Sequence, residues 1–197
     1  GHTHTIDLPT SIEGLPEADE VGNGVVLGMG VGGLAGDLLA AVGGSFVPVP
    51  LFVAKGYGPP AFVGPGTLCF AVSFSGDTEE TVEAAQAAAS GGARMVVVAR
   101  GGALGALAPR WQAPHVPVPA SIPMSRAGLG SLAVPMILLL EQIGLFPGAS
   151  GWVDAAVTQL QVRRDALLAG ESAQRIARTI GRTIPLILGA GPLGEVA

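Results

Sequence analysis

Apolar positions along the chain gather into short unbroken runs, separated by stretches of helical composition and by turns rich in Gly and Pro. The runs at 24–28, 47–53, 67–73, 95–99 and 115–119 read as strands. Unbroken apolar character, without polar alternation, predicts that both faces of such strands are covered. Pro48 and Pro50 assign the second run to a sheet edge or to irregular backbone, because proline supplies no N–H to a ladder. The fifth run is marked by proline in the same way. Helices are predicted from the glycine cluster at 30–33 to about Val42, over 79–90, and over 101–108, the last weakened by its glycines. Gly91 and Gly92 end the second helix. A helix over 129–143 is apolar nearly all round, which predicts burial. More amphipathic helices over 151–168 and 171–179 follow. The run at 184–188 predicts a further strand, leading into a glycine turn at 189–194. Residues 1–23 are a polar, turn-rich lead-in.

Strands alternating with helices at this spacing indicate an α/β fold, with about five parallel strands before residue 150 and helices on both faces. The segment Val25-Val26-Leu27-Gly28-Met29-Gly30 is echoed by Leu186-Ile187-Leu188-Gly189-Ala190-Gly191. That repeat points to two tandem domains, the second only begun.

Composition sharpens the picture. The chain of 197 residues is 49% hydrophobic and only 13% charged, so its polar surface is sparse and a subunit interface is expected. Gly and Pro interrupt every apolar run short of the ~20 residues that span a bilayer, so no membrane partner is expected. The start lacks the basic and apolar pattern of a secretory leader. A net charge of −5 with scattered basic residues argues against nucleic acid as a partner. The one cysteine, Cys69, lies within the third strand and permits no intrachain disulfide, which fits a reducing cytoplasm. His2, His4 and His115 lack the spacing of a metal set.

The chemistry concentrates after the third strand, in Ser73-Phe74-Ser75-Gly76-Asp77-Thr78-Glu79-Glu80-Thr81. Three hydroxyls (Ser73, Ser75, Thr78) lie within six residues, and Gly76 permits a tight turn between them. The helix that follows offers unpaired first-turn N–H groups and the positive end of its dipole. Hydroxyls and free amides together suit an anion such as phosphate. A simpler reading has Ser75 or Thr78 only capping the helix. No lysine lies in this turn, which is not a GxxxxGK[ST] loop, so a phosphomonoester is expected and not a nucleoside triphosphate with magnesium. Gly28-Met29-Gly30-Val31-Gly32-Gly33 fits GxGxxG, but no Asp or Glu lies between Asp37 and Asp77 to hold a ribose. Dinucleotide binding is therefore disfavoured. Ser75 lacks the preceding glycine of a GxSxG elbow, and no acid or histidine stands out as a base. Arg126 follows the fifth strand at the same carboxyl edge, where a guanidinium can meet phosphate in bidentate fashion or simply face solvent.

These residues resemble a known family. Gly28-Met29-Gly30-Val31-Gly32-Gly33-Leu34-Ala35-Gly36-Asp37 is similar to the GMGGSGxxGD segment of bifunctional phosphoglucose/phosphomannose isomerases, which are built of sugar-isomerase (SIS) domains. The turn from Ser73 to Thr81 resembles their SYSGNTEET, and Arg126 stands where they carry the arginine of QPR. The resemblance runs from about residue 21 to the end and places the chain in their N-terminal part. It implies a three-layer αβα sandwich with a five-stranded parallel, flavodoxin-like sheet. It also implies a layout of lead-in (1–20), SIS domain (21–148), linking helices (149–182) and the start of a second SIS domain (183–197). Ser73, Ser75 and Thr78, with Gly30 and Gly32, would bind the phosphate of a hexose, and Arg126 the sugar. The implied reaction interconverts glucose or mannose 6-phosphate with fructose 6-phosphate through an enediol. It needs no metal or other cofactor, in a cytoplasmic homodimer. The family's base lies in its second domain, so no residue here is assigned as catalytic. Three departures stand out: Gly32 replaces a serine, Asp77 an asparagine, and Met124-Ser125 the Gln-Pro before the arginine. A sugar-phosphate sensor or scaffold without catalysis is the alternative they leave open.

Overall fold

The computed structural model describes residues 14–191 and Gly194. Most of the lead-in, with His2 and His4, and part of the glycine turn at 189–194 lie outside these residues. The chain's contacts divide it into two units, Gly1–Pro147 and Gly148–Ala197.

The first unit is built on five strands: β1 (Asn23–Gly28), β2 (Leu51–Ala54), β3 (Thr67–Ser73), β4 (Arg94–Ala99) and β5 (His115–Pro117). All pair in parallel, in the order β2-β1-β3-β4-β5. Every residue of β3 is buried, and nearly all of β1 and β4, as their unbroken apolar runs require. Four helices cover the sheet: α1 (Gly30–Gly43), α2 (Glu79–Ser90), α3 (Gly102–Leu107) and α4 (Leu129–Gln142). Val25, Leu27, Cys69, Ala71, Val97 and Ala99 form one core with Ala84, Ala85 and Ala88 of α2 and Leu104 of α3. Residues of the opposite parity, Val26, Val53 and Val72, meet α1 on the other face, and α4 packs against α1 there. The fold is thus α/β, a parallel sheet between two helical layers.

Several strands differ from the sequence reading; the fifth, expected over 115–119, is confined to His115–Pro117. The strand expected at 47–53 is confined to Leu51–Ala54, with Pro48 and Pro50 outside it. Here Pro50 contributes only its carbonyl, which accepts from the Gly24 amide at 2.9 Å. As expected, this proline-marked strand is an edge, pairing with β1 alone. In the second unit, α5 (Ala149–Ala169) and α6 (Ser172–Ile180) are helical, but 184–188 forms no strand. Ile184, Leu186, Ile187 and Leu188 are exposed, and an extended segment becomes a strand only where another backbone satisfies its N–H and C=O groups.

Burial raises the Cys69 thiol from 9.0 to about 12. The folded chain therefore keeps this proton at pH 9, where an unfolded thiol is about half ionised. Ellman's reagent should find no reactive thiol at pH 8–9 until denaturant is added. Rapid labelling of the native chain would contradict the burial of Cys69 within β3.

Candidate functional site

In this strand order the chain departs from β1 to one side, to form β2, and returns to the other side, to form β3. The carboxyl ends of β1 and β3 therefore flank the point where the topology reverses, which is where open α/β sheets leave a crevice for ligands. Gly28, the last residue of β1, is in register with Val72. Gly30, just past β1, and Ser73, the last residue of β3, lie at the same carboxyl edge. Glycines and hydroxyls some forty residues apart in sequence are thus neighbours.

The turn after β3 is shaped by its own polar groups. Ser73 is buried, and its Oγ lies 2.9 Å from Thr78 Oγ1. The same Oγ accepts from the Gly76 amide at 3.1 Å. Ser75 Oγ accepts from the Asp77 amide at 3.2 Å, while Ser75 itself stays exposed. Thr78 is the residue before α2, yet its side chain makes no cap hydrogen bond. Capping therefore does not account for these hydroxyls. Counting protons shows what remains. Of the Ser73 and Thr78 hydroxyls one donates to the other, leaving one hydrogen free, and the Ser75 hydrogen is free as well. The first-turn amides of α2 have no acceptor within the helix. This turn is a cup of donors at the positive end of a helix, suited to an oxyanion.

Gly76 makes the cup possible. Its φ is +89°, and a Cβ there would lie 1.9 Å from the Gly101 carbonyl oxygen. The loop after β4 thus closes directly over the turn. Leu104 donates its amide to the Gly76 carbonyl at 3.0 Å, and Arg100 donates its own to the Phe74 carbonyl at 3.3 Å.

Asp77 also faces that loop. Its Oδ1 accepts from the Ala103 amide at 2.8 Å, in the first turn of α3, where a carboxylate satisfies an orphan donor and the local dipole. The charge that replaces an asparagine is thus held by α3. Asp77→Ala should cost about 1 kcal/mol of stability in a denaturant titration, the worth of a lost cap. Asp77→Asn, which keeps the acceptor, should cost less than half of that. Equal losses in the two variants would show that the charge and not the hydrogen bond matters.

Gly30 begins α1, is exposed, and has nothing within 4 Å of a Cβ placed on it. Gly32 differs. Its amide donates to the Met29 carbonyl at 2.9 Å, and a Cβ would lie 2.3 Å from the Val72 carbonyl oxygen. The serine found here in the resembling family would force α1 away from β3. Its absence goes with a closer approach of helix to strand.

Arg126 lies in a short 3-10 turn, Ser125–Ala127, and is exposed. The next residue but one, Gly128, rests on the Phe74 ring: a Cβ there would be 2.6 Å from Phe74 Cε2. Arg126 is thus two residues from the contact with Phe74, and among the described residues no hydrogen bond joins it to the Ser73, Ser75 or Thr78 hydroxyls. Arg100 was not singled out in the sequence. Its guanidinium lies 4.4 Å from the centre of the Phe74 ring and donates to the Ile122 carbonyl at 2.6 Å. The register gives the signal that was available: Ser73 pairs with Ala99, so the next residues, Phe74 and Arg100, are side by side.

Other polar groups have structural partners. His115 Nε2 hydrogen-bonds the Ala99 carbonyl at 2.9 Å, and Lys55 pairs with Asp37. Glu79 and Glu80 raise the pKa of the exposed Tyr57 phenol, with lesser contributions from burial and Glu83. The acids at the start of α2 therefore act on the loop that follows β2. Among the described residues, no group of three or more His, Cys, Asp or Glu is placed to hold a metal. No described helix is long and apolar enough to cross a membrane.

Comparison with known proteins bears on the fold. No family model matches the chain. It is 28% identical over 185 residues to the bifunctional phosphoglucose/phosphomannose isomerase of Caldicellulosiruptor bescii, covering 91% of this chain and 54% of that protein. It is 30% identical over 175 residues to the enzyme of the same name from Thermoplasma acidophilum, covering 89% and 52%. The chain spans about half the length of the curated relatives it matches. Among solved structures, the C-terminal domain of glucosamine-fructose-6-phosphate aminotransferase from Francisella tularensis superposes with a TM-score of 0.72 at 14% identity, covering 91% of this chain and 54% of that one. Tagatose-6-phosphate ketose/aldose isomerase from Escherichia coli gives 0.55 at 17%, covering 90% and 50%. These likenesses establish the fold as that of phosphosugar isomerases.

Proposed function

We propose that this relative of the bifunctional phosphoglucose/phosphomannose isomerases holds the phosphate of a phosphorylated hexose in the cup of Ser73, Ser75 and Thr78. In this reading it is the sugar-phosphate-binding domain of an enzyme that interconverts glucose or mannose 6-phosphate with fructose 6-phosphate. The observation that carries it is the convergence of hydroxyls on one another, and not on a helix cap, at the sheet's reversal point.

The chemistry follows from the donors. A phosphate dianion takes the free hydrogens of the cup and the first-turn amides of α2, and Gly30 leaves room for it at the start of α1. Arg126 adds a fixed positive charge toward the sugar. Binding the non-reacting phosphate anchors the substrate, so that the carbon chain meets its catalytic groups in a fixed orientation. Aldose–ketose isomerisation shifts a proton between adjacent carbons and needs a base. In this proposal the base comes from a second domain that begins at about residue 183, after a first domain over 21–148 and linking helices over 149–182. Exposed Leu160, Leu168 and Ile176 on α5 and α6 support burial of these helices in a homodimer.

The test is conversion of mannose 6-phosphate to fructose 6-phosphate by a protein carrying this chain together with the remaining half of its relatives' length. Turnover that disappears on Ser75→Ala with Thr78→Ala is expected. No turnover, with fructose 6-phosphate still bound, would favour the second reading, a sugar-phosphate sensor. The observation on that side is Gly32, which leaves α1 without the family's serine hydroxyl.

A further inference from the structure

The segment from Pro119 to Gly128 carries Arg126 but has little to hold it in place. It contains no strand, and its internal backbone bonds are single turns: Ile122 to Pro119, Ala127 to Met124 and Gly128 to Ser125. Its attachments come from outside. Arg100 Nη2 donates to the Ile122 carbonyl at 2.6 Å and lies 3.4 Å from that of Pro119. The same guanidinium covers one part of the Phe74 ring, while Gly128 rests against its edge atoms. Phe74 sits between Ser73 and Ser75 in the cup. A planar guanidinium can stack on a ring and donate in its own plane at once, which an ammonium cannot do.

From this we infer that Arg100 is a positioning residue, resting on the sugar-phosphate reading above. It clamps the Arg126 segment to the hydroxyl turn through Phe74, and so sets where the Arg126 guanidinium meets the ligand. Arg100 has its Nη2 committed to these two carbonyls and its face to the ring. It acts through Arg126.

The experiment is a double-mutant cycle on fructose 6-phosphate affinity, measured by calorimetry with Arg100→Ala, Arg126→Ala and the pair, together with Arg100→Lys. Each single change to alanine should weaken binding roughly tenfold, and the pair should be no weaker than Arg126→Ala alone within about twofold. Arg100→Lys should fail to restore binding, since charge alone does not bridge ring and carbonyls. Additive losses near a hundredfold would mean that Arg100 contacts the ligand itself, and would overturn the inference, as would full affinity in Arg100→Ala. Hydrogen exchange supplies an arm that needs no ligand. In Arg100→Ala the amides of Ile122, Ala127 and Gly128 should exchange faster, while those of β1 and β4 stay protected. Unchanged exchange at 122–128 would overturn the clamp. Absence of fructose 6-phosphate binding by the unaltered chain would instead remove the sugar-phosphate reading, and the role assigned to Arg100 within it.

Discussion

Gly76→Ala is expected to be the most damaging single substitution in the turn after β3. Two effects combine. A Cβ at φ +89° costs about 1–2 kcal/mol by itself. The same atom would overlap the Gly101 carbonyl oxygen, at 1.9 Å, and backbone cannot yield as the tip of a side chain can. Overpacking of this kind costs roughly 1–3 kcal/mol more. The sum, about 2–5 kcal/mol, is a large part of the 5–15 kcal/mol that a domain typically has. Thermal unfolding should fall by at least about 4 °C, at the 2–4 °C per kcal/mol usual for this size. Phosphate binding should fall with it, because Ser73 Oγ loses the Gly76 amide that orients it. A shift under about 1 °C with unaltered binding would mean that the loops after β3 and β4 do not meet as described.

The second large effect concerns the ligand and not the fold. Ser75→Ala combined with Thr78→Ala removes two hydroxyls whose bonds within the protein are few. Affinity for fructose 6-phosphate should drop by roughly 1–3 kcal/mol, or about 5- to 150-fold. Stability should fall by only about 1–2 kcal/mol, since the bonds lost are that between Thr78 and Ser73 and that from the Asp77 amide to Ser75, and no helix cap is removed. The opposite pattern, lost stability with intact affinity, would return Thr78 to an ordinary cap. Calorimetry and a denaturant titration on the same variant separate the two.

Particular residues show how much of this molecule is legible in its sequence. The strands β1, β3 and β4 were legible because they are covered on both faces, so burial leaves an unbroken apolar run. The hydroxyl turn was legible because its residue types have few other reasons to cluster between a strand and a helix. Where pairing or packing across the chain decides the outcome, the sequence was mute. Pro48 and Pro50 marked an edge but not where its ladder starts. Residues 184–188 have strand composition and no strand, because a ladder needs a neighbour that composition does not supply. Asp77 stands in the hydroxyl turn by sequence, yet its carboxylate accepts from an amide of α3, 26 residues away. Arg100 escaped notice for a related reason. Its importance arises only when β3 and β4 lie in register and bring it beside Phe74.

The most direct measurement is a crystal structure of the chain with fructose 6-phosphate. Its phosphorus should lie in the crevice between the ends of β1 and β3, with the phosphate oxygens within hydrogen-bonding reach of Ser73, Ser75 or Thr78 and of the first amides of α2. A phosphate bound elsewhere on the chain, with the cup filled only by solvent, would contradict the proposed site.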